Sequence, residues 1–238
     1  MTAPPCDTST RKAEVAAGLT RVRQRIEAAC AAAGRDRGEI TLIGITKTYP
    51  VADALTLVEL GVADLGENRA NEARDKAAEL PAARWHFVGQ LQTNKARVIA
   101  PFAAAVHSVD RPALVAALDR AVANAGREPL DVFLQISLDG DERRGGVVAA
   151  GVAALADEVG QAHQLRLAGV MAVAPQEQDA DDAFAQLQAI SGELRAAHPH
   201  AAAISAGMSN DLEAAISRGA THVRVGSALL GQRPPVVS

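Results

Sequence analysis

Short apolar runs rich in β-branched residues recur along the chain, and most are followed by a stretch with helical periodicity. The strand-like runs lie near residues 41–46, 62–65, 84–88, 104–107, 131–137, 166–171, 201–204 and 222–225. The helical stretches lie at 52–60, 69–80, 112–125, 147–160, 179–197 and 211–218. Eight strands alternating with helices in one unbroken chain predict an α/β fold, a closed parallel (β/α)8 TIM barrel rather than an open doubly wound sheet.

The N-terminal part adds a helix to this pattern. Residues 10–33 form an amphipathic stretch rich in Ala and Arg, and Gly34 follows it as a helix-ending residue. No linker divides the chain, so we expect residues 1–238 to form a single barrel domain with a disordered tail at about 234–238. No GxGxxG motif follows the first strand and no GxxxxGK[ST] motif occurs, so the usual dinucleotide and P-loop signatures are absent.

Composition narrows the class of protein. The 238 residues are 48% hydrophobic and carry a net charge of −4, which suits one large core and does not favour nucleic acid or acidic membranes. No apolar stretch is long enough to span a bilayer, and no secretory leader is visible. Two cysteines, Cys6 and Cys30, suit a reducing compartment. We therefore expect a cytoplasmic protein.

Lys47 stands at the end of the first strand-like run, directly before Thr48-Tyr49-Pro50. A lysine in this place has its stem held by the core and its amine directed at the mouth of a cleft. Desolvation there lowers the pKa of the amine and makes it a better nucleophile toward an aldehyde. The alternative is a lysine that simply extends from a strand end into water.

Glycine and polar residues follow most of the other predicted strands. They are Gly66-Glu67-Asn68, Gly89-Gln90, Ser137, Met171, Ser205-Ala206-Gly207-Met208-Ser209 and Gly226-Ser227. In a β/α barrel all these strand ends share one face, where active sites are built. Each of these segments alone is also typical of an ordinary turn, but their joint position on one face predicts a binding or active site.

The last two loops predict an anion site. Ser209 is a candidate N-cap for the helix at 211–218, and Gly226-Ser227 opens the final helix. Helix starts present free N–H groups to anions, and the loops after strands seven and eight commonly bind phosphate in this fold. Simple helix capping without a ligand is the alternative.

A lysine amine opposite a phosphate site suits pyridoxal 5′-phosphate (PLP) held as a Schiff base, although an aldolase acting on a phosphorylated sugar needs the same parts.

Six segments of the chain resemble one known family. They are Ile45-Thr46-Lys47-Thr48, Gly66-Glu67-Asn68, the segment from Trp85 to Lys95, Gly169-Val170-Met171, the segment from Ser205 to Asp211, and Val223-Arg224-Val225-Gly226-Ser227. Together they resemble the pyridoxal phosphate homeostasis protein family, whose barrel is similar to the N-terminal domain of alanine racemase. The resemblance runs from about residue 10 to 233.

The resemblance implies roles for individual residues. The implied PLP-binding set is Lys47, Asn68, Ser205, Met208, Ser209, Arg224, Gly226 and Ser227. Within it, Lys47 carries the Schiff base and Asn68 lies near the ring or its hydroxyl. Ser209, Gly226 and Ser227 hold the phosphate, together with backbone from Met208. Arg224 faces the pyridine nitrogen; the alternative for this arginine is an ion pair at the barrel end.

Arg224 and Tyr49 bear on whether the protein is an enzyme. A guanidinium only donates hydrogen bonds, so it leaves the ring nitrogen unprotonated and weakens the cofactor as an electron sink. In alanine racemase a second base, a tyrosine, comes from a C-terminal domain that is not expected here. The only tyrosine, Tyr49, follows Lys47 too closely to serve the opposite face of the cofactor.

The sequence thus favours a monomeric PLP-binding protein that carries or buffers PLP in vitamin B6 homeostasis. It would deliver PLP to apo-enzymes, and it would have no catalytic or metal-binding residues. A slow amino-acid racemase or related PLP enzyme is the alternative, and a phosphosugar aldolase is a third.

His86 is either near the site or a buried core histidine. His198-Pro199-His200 is interpreted as a solvated helix end.

Overall fold

Eight parallel strands close into a barrel in the computed structural model, which describes residues 8–141 and 144–231. The strands are β1 (Thr41–Ile45), β2 (Asp64–Glu67), β3 (Arg84–Phe87), β4 (Ala103–Val109), β5 (Leu130–Gln135), β6 (Leu165–Met171), β7 (Ala203–Ser205) and β8 (His222–Val225). Each strand pairs with the next along the chain, and β8 pairs with β1. The predicted TIM barrel is confirmed.

Helices surround the barrel between successive strands. They are α1 (Thr8–Ala33), α2 (Val51–Glu59), α3 (Ala70–Glu79), α4 (Ala96–Ile99), α5 (Pro112–Ala125), α6 (Val152–Gln161), α7 (Ala180–Ala197), α8 (Leu212–Ser217) and α9 (Ser227–Leu230). The additional N-terminal helix, α1, is confirmed and packs against α8 and α9. Val15, Leu19 and Ile26 are buried on its inner face. The predicted tail and Cys6 lie outside the described residues.

One helix and several element bounds differ from the sequence prediction; β2, for example, spans Asp64–Glu67 rather than 62–65. The short helix α4 was not predicted, because its four residues are too few to show a helical period. The helix predicted from residue 147 begins only at Val152. Val147 instead extends the sheet, since its N–H donates to Gln135 O at 2.8 Å and its carbonyl accepts from Ser137 N at 3.0 Å.

The main apolar core lies between the barrel wall and the helices, where Phe87, Leu114 and Leu118 are among the fully buried side chains. The inside of the barrel is more polar, because His86, His107 and Ser205 are buried there beside a small apolar cluster around Phe133. Within the described part of the chain, no helix combines the length and the apolar character needed to cross a membrane.

Candidate functional site

A cavity of about 280 Å³ opens at the carboxyl ends of the strands. Its volume lies near the lower end of the range of small-molecule sites, roughly 300–1,000 Å³. Seven of the eight predicted site residues line it, namely Lys47, Asn68, Met208, Ser209, Arg224, Gly226 and Ser227. Ile45, Val88, Met171, Val173 and Asn210 complete the lining. Residues from six separate strand ends, those of β1, β2, β3, β6, β7 and β8, therefore meet at one site, as the barrel topology predicted.

Lys47 lies half-buried in the turn after β1, and a buried ion-pair cluster holds this turn from below. The Nζ atom of Lys76, on α3, donates to Thr46 O at 2.7 Å, to Glu67 Oε1 at 2.7 Å and to Glu72 Oε1 at 2.9 Å. The Thr46 hydroxyl donates to the same Glu67 oxygen at 2.6 Å. The backbone directly before Lys47 is thus fixed by a buried ammonium group.

The residues after Lys47 are held as firmly. Thr48 has a φ angle of 70°, which is uncommon for a β-branched residue, and its N–H donates to Glu72 Oε1 at 2.9 Å. The hydroxyl of the buried Tyr49 donates to Gly231 O at 2.7 Å, at the end of α9. The turn that carries Lys47 is therefore held on both sides, and the Tyr49 hydroxyl is engaged away from the cavity lining.

Burial opposes ionisation of the Glu67 carboxylate in this cluster. It raises the pKa of Glu67 above its ordinary value, and the hydrogen bonds from Lys76 and Thr46 counteract that shift. Glu67 is fully buried, and its second oxygen, Oε2, has no hydrogen-bond partner among the described residues. Its carboxylate therefore depends on Lys76 for compensation of its charge.

Arg224 extends from β8 into the base of the cavity and is only 5% exposed. Its Nη1 donates to Ser205 Oγ at 2.7 Å and its Nη2 to Ala172 O at 2.8 Å. Burial lowers the pKa of Arg224 to about 10. Among residues 8–141 and 144–231 its hydrogen-bond partners are Ser205 and Ala172, and Asp211 attracts it electrostatically without forming an ion pair, so the ion-pair interpretation of this arginine is not supported.

Ser205 is the predicted site residue that does not line the cavity. It is fully buried behind Arg224, and its hydroxyl contacts both Arg224 Nη1 and His107 Nδ1, the latter at 2.8 Å. The structure therefore places Ser205 one contact away from the cavity, where it can act on a ligand through Arg224.

Two serine hydroxyls meet where β7 and β8 end. Ser227 Oγ lies 3.2 Å from Ser209 Oγ, and the Ala228 N–H donates to Ser209 Oγ at 3.3 Å. The prediction that Ser209 caps α8 is wrong, because Asp211 occupies the N-cap position. Asp211 also accepts the Met208 N–H at 2.5 Å, so that amide is already engaged within the loop.

The remaining predicted ligand-binding residue, Asn68, follows β2. Its Oδ1 is buried without a hydrogen-bond partner among the described residues, although the side chain lines the cavity. Gly89 fixes the place of this residue, because a Cβ atom at position 89 would lie 2.3 Å from Asn68 O. An unpartnered buried acceptor beside the cavity suits a ligand that carries a hydroxyl donor.

His86 is a buried core histidine rather than part of the cavity lining. It contacts Asp64 Oδ1 at 2.8 Å and His107 Nε2 at 2.9 Å. The sequence interpretation missed His107 and Lys76 altogether. Lys76 stands four residues after Glu72 on a helix, a spacing typical of exposed ion pairs, so the pattern gave no indication that this lysine is buried.

Comparison with known proteins identifies the family of the chain. Residues 19–234 match the family described as alanine racemase, N-terminal domain. A Mycobacterium tuberculosis H37Rv protein named pyridoxal phosphate homeostasis protein is 44% identical over 243 residues, covering 94% of each chain. The chain belongs to the pyridoxal phosphate homeostasis protein family.

Solved structures of this family and of more distant proteins share the barrel. The structure of PipY from Synechococcus elongatus, with PLP bound, superposes with a TM-score of 0.80 at 32% identity and covers 91% of this chain and 100% of PipY. Alanine racemase from Corynebacterium glutamicum gives a TM-score of 0.70 at 13% identity, covering 95% of this chain and 62% of the racemase. The second likeness shows a shared barrel fold.

Proposed function

We propose that this protein binds PLP in the cavity at the strand ends and carries or buffers it in vitamin B6 homeostasis. The observation that carries this proposal is the convergence of Lys47, Arg224 and the Ser209–Ser227 hydroxyl pair on one cavity. The names of the relatives and the PLP bound to PipY support the same ligand.

Each end of PLP has a partner of suitable chemistry in the cavity. The aldehyde is reactive toward amines, and we propose that Lys47 holds it as a Schiff base. The hydroxyls of Ser209 and Ser227, with the Gly226 backbone at the start of α9, hold the phosphate. The Asn68 carboxamide oxygen accepts the ring hydroxyl, which supplies its missing partner.

The Met208 and Ser205 assignments take a modified form. Because the Met208 N–H donates to Asp211, we propose that Met208 shapes the loop while the hydroxyl pair contacts the phosphate. Ser205 acts on the ring nitrogen only through Arg224.

Arg224 and Tyr49 favour a carrier over a catalyst. The buried guanidinium donates to the ring nitrogen and does not protonate it, which weakens the electron sink that PLP supplies to enzymes. The Tyr49 hydroxyl is held by Gly231 O, so it is not placed as a second proton-transfer group. We therefore propose that no residue of the site is a catalytic residue.

The wider setting follows from the same proposal. We propose a cytoplasmic monomer in which residues 1–238 act as one PLP-binding unit. Apo forms of PLP-dependent enzymes would be the recipients of the carried cofactor. The rival function, a slow amino-acid racemase, draws only on the barrel that this chain shares with alanine racemase.

A binding titration tests the ligand assignment. Wild-type protein incubated with PLP should become yellow and bind PLP far more tightly than pyridoxal, because only PLP reaches the serine hydroxyls. Lys47→Ala should lose the colour, whereas the matched control Lys95→Ala should retain it, since Lys95 does not line this cavity. Equal affinity for PLP and pyridoxal would show that the phosphate site is misassigned.

A second assay separates carrier from enzyme. PLP-loaded protein is mixed with an apo-enzyme in one arm and with a panel of amino acids in deuterated water in the other. The proposal predicts activation of the apo-enzyme and no α-proton exchange above background. Rapid exchange or racemisation of a common amino acid would favour the enzyme.

A further inference from the structure

A continuous chain of hydrogen bonds crosses the inside of the barrel beneath the proposed PLP site. Starting at Arg224, it runs through Ser205 at 2.7 Å, His107 at 2.8 Å, His86 at 2.9 Å and Asp64 at 2.8 Å. We call Ser205, His107, His86 and Asp64 the histidine relay. It connects the two ends of the barrel, because Ser205 is the last residue of β7 and Asp64 is the first residue of β2.

One residue of the relay, His86, lines a second cavity. This cavity, about 430 Å³, lies at the amino ends of the strands and is lined by His86, Phe133 and Asp131, among others. The Asp64 side chain is 15% exposed, whereas His107 and Ser205 are fully buried. The relay therefore has its charged carboxylate near solvent and its hydroxyl at the base of the proposed PLP site.

Counting donors assigns a direction to every link. Arg224 has only N–H groups, so the Ser205 oxygen accepts from it. The hydroxyl hydrogen of Ser205 then has one remaining partner among the described residues, His107 Nδ1, and this hydrogen is satisfied when that nitrogen is unprotonated. A neutral His107 with a bare Nδ1 carries its hydrogen on Nε2 and donates it to His86 Nδ1.

The same logic continues to the carboxylate. His86 accepts at Nδ1, so its Nε2–H donates to Asp64 Oδ1. Burial lowers the pKa of His107 well below its usual value, which keeps that ring neutral. Burial is the largest single influence on Asp64 and opposes its ionisation, but the hydrogen bond and charge of His86, together with Arg84 and His222, leave the pKa of Asp64 below its usual value. Every donor in the relay thus points away from Arg224 and toward the carboxylate.

We propose that Asp64, His86 and His107 are positioning residues that fix Arg224 for its contact with the PLP ring. Their aligned dipoles turn the Ser205 lone pairs toward the guanidinium, and the Asp64 charge polarises each link in the same sense. The Ser205 acceptor of this buried cation is thereby polarised by a carboxylate at the opposite end of the barrel, in addition to the direct electrostatic attraction of Asp211. This inference rests on the proposed function of the site, although the relay itself exists without ligand.

The first arm of the test uses ligand-free, ¹⁵N-histidine-labelled protein. In the wild type, His107 and His86 should both show a bare Nδ1 and a protonated Nε2 at neutral pH. Asp64→Asn keeps an acceptor for His86 but removes the charge, so the nitrogen signals of His107 should shift although Asp64 does not touch that ring. The matched control is Asp131→Asn, a carboxylate beside the same second cavity that pairs with Arg166 instead.

The second arm of the test measures the affinity for PLP and the absorbance of the bound cofactor. Asp64→Asn should weaken PLP binding about threefold and shift the absorbance maximum of the bound cofactor, while Asp131→Asn should change neither. A protonated His107 Nδ1, or equal His107 signals in the two variants, would overturn the relay. Wild-type affinity and absorbance in Asp64→Asn would overturn its positioning role.

The two proposals fail in different ways. Absence of PLP binding by the wild type would sink the proposed function, whereas the relay is decided by the nitrogen signals of the ligand-free protein. The tautomers of His107 and His86 in the wild-type protein test the relay even if a variant does not fold.

Discussion

Replacing Lys76 by methionine should destabilise the barrel strongly, because this change leaves a buried carboxylate without its cation. The Lys76 side chain is 8% exposed and the Glu67 side chain 0%, and they are joined at 2.7 Å. Removing one partner of a buried pair costs about 3–5 kcal/mol. That loss is a large part of the roughly 5–15 kcal/mol by which such domains are stable.

The measurement is urea unfolding followed by fluorescence of Trp85, the single tryptophan of the chain. The control is Lys12→Met, which breaks a pair with Glu59 of similar length, 2.6 Å, whose side chains are 52% and 45% exposed. Exposed pairs contribute about 0–1 kcal/mol, so this variant should unfold close to the wild type. Equal losses in the two variants would refute the reasoning.

The pH dependence provides a second check on the same pair. Burial already raises the pKa of Glu67, and loss of Lys76 raises it further. An acid whose folded-state pKa is raised favours folding below its unfolded pKa, and this contribution is lost as pH rises through the folded value. The stability deficit of Lys76→Met should therefore be smaller near pH 5 than near pH 8. A deficit independent of pH would indicate lost packing rather than an uncompensated charge.

Three further predictions concern the site and the barrel interior. The double change Ser209→Ala and Ser227→Ala removes two hydroxyl donors to phosphate, so PLP affinity measured by titration should fall about tenfold or more. Burial lowers the pKa of His222 to about 4. As pH falls from 6.5 to 4 the unfolded state binds the proton first, so the free energy of unfolding should fall by up to about 3 kcal/mol. This fall should be smaller in His222→Gln. Arg224→Glu places a carboxylate at the ring nitrogen and should permit faint α-proton exchange in deuterated water, and no gain over the wild type would contradict this role.

The barrel and its site could be predicted because both follow from local patterns. Eight strand-like runs, each followed by turn residues, determine which chain segments share the carboxyl face. That rule predicted a shared face for Lys47, Asn68 and Ser227, whereas the family resemblance added Arg224, and all four line one cavity. The orientation of individual side chains was not predictable in the same way.

Ser209 and Lys76 illustrate the limit. Ser209 precedes a helix with good capping residues, but Asp211 lies nearer the helix start and takes the N-cap position. Lys76 belongs to a polar helix, and only packing against the turn at Thr46 buries its ammonium group. Such contacts depend on how a helix is seated on the barrel.

The histidine relay illustrates a second limit. His86 and His107 are 21 residues apart, and Ser205 is 98 residues beyond His107. Their contact depends on the stagger of neighbouring strands, including the register shift between Trp85 and His86 in the β3–β4 pairing. The sequence shows no periodicity that reports this stagger.

Borohydride reduction after incubation with PLP tests directly whether Lys47 holds the cofactor as a Schiff base. Reduction fixes a Schiff base to its lysine, and peptide mapping then identifies which of the four lysines, Lys12, Lys47, Lys76 and Lys95, carries the label. We expect a single labelled peptide that contains Lys47, and none in Lys47→Ala. A label on another lysine, or an unlabelled protein after incubation with excess PLP, would contradict it.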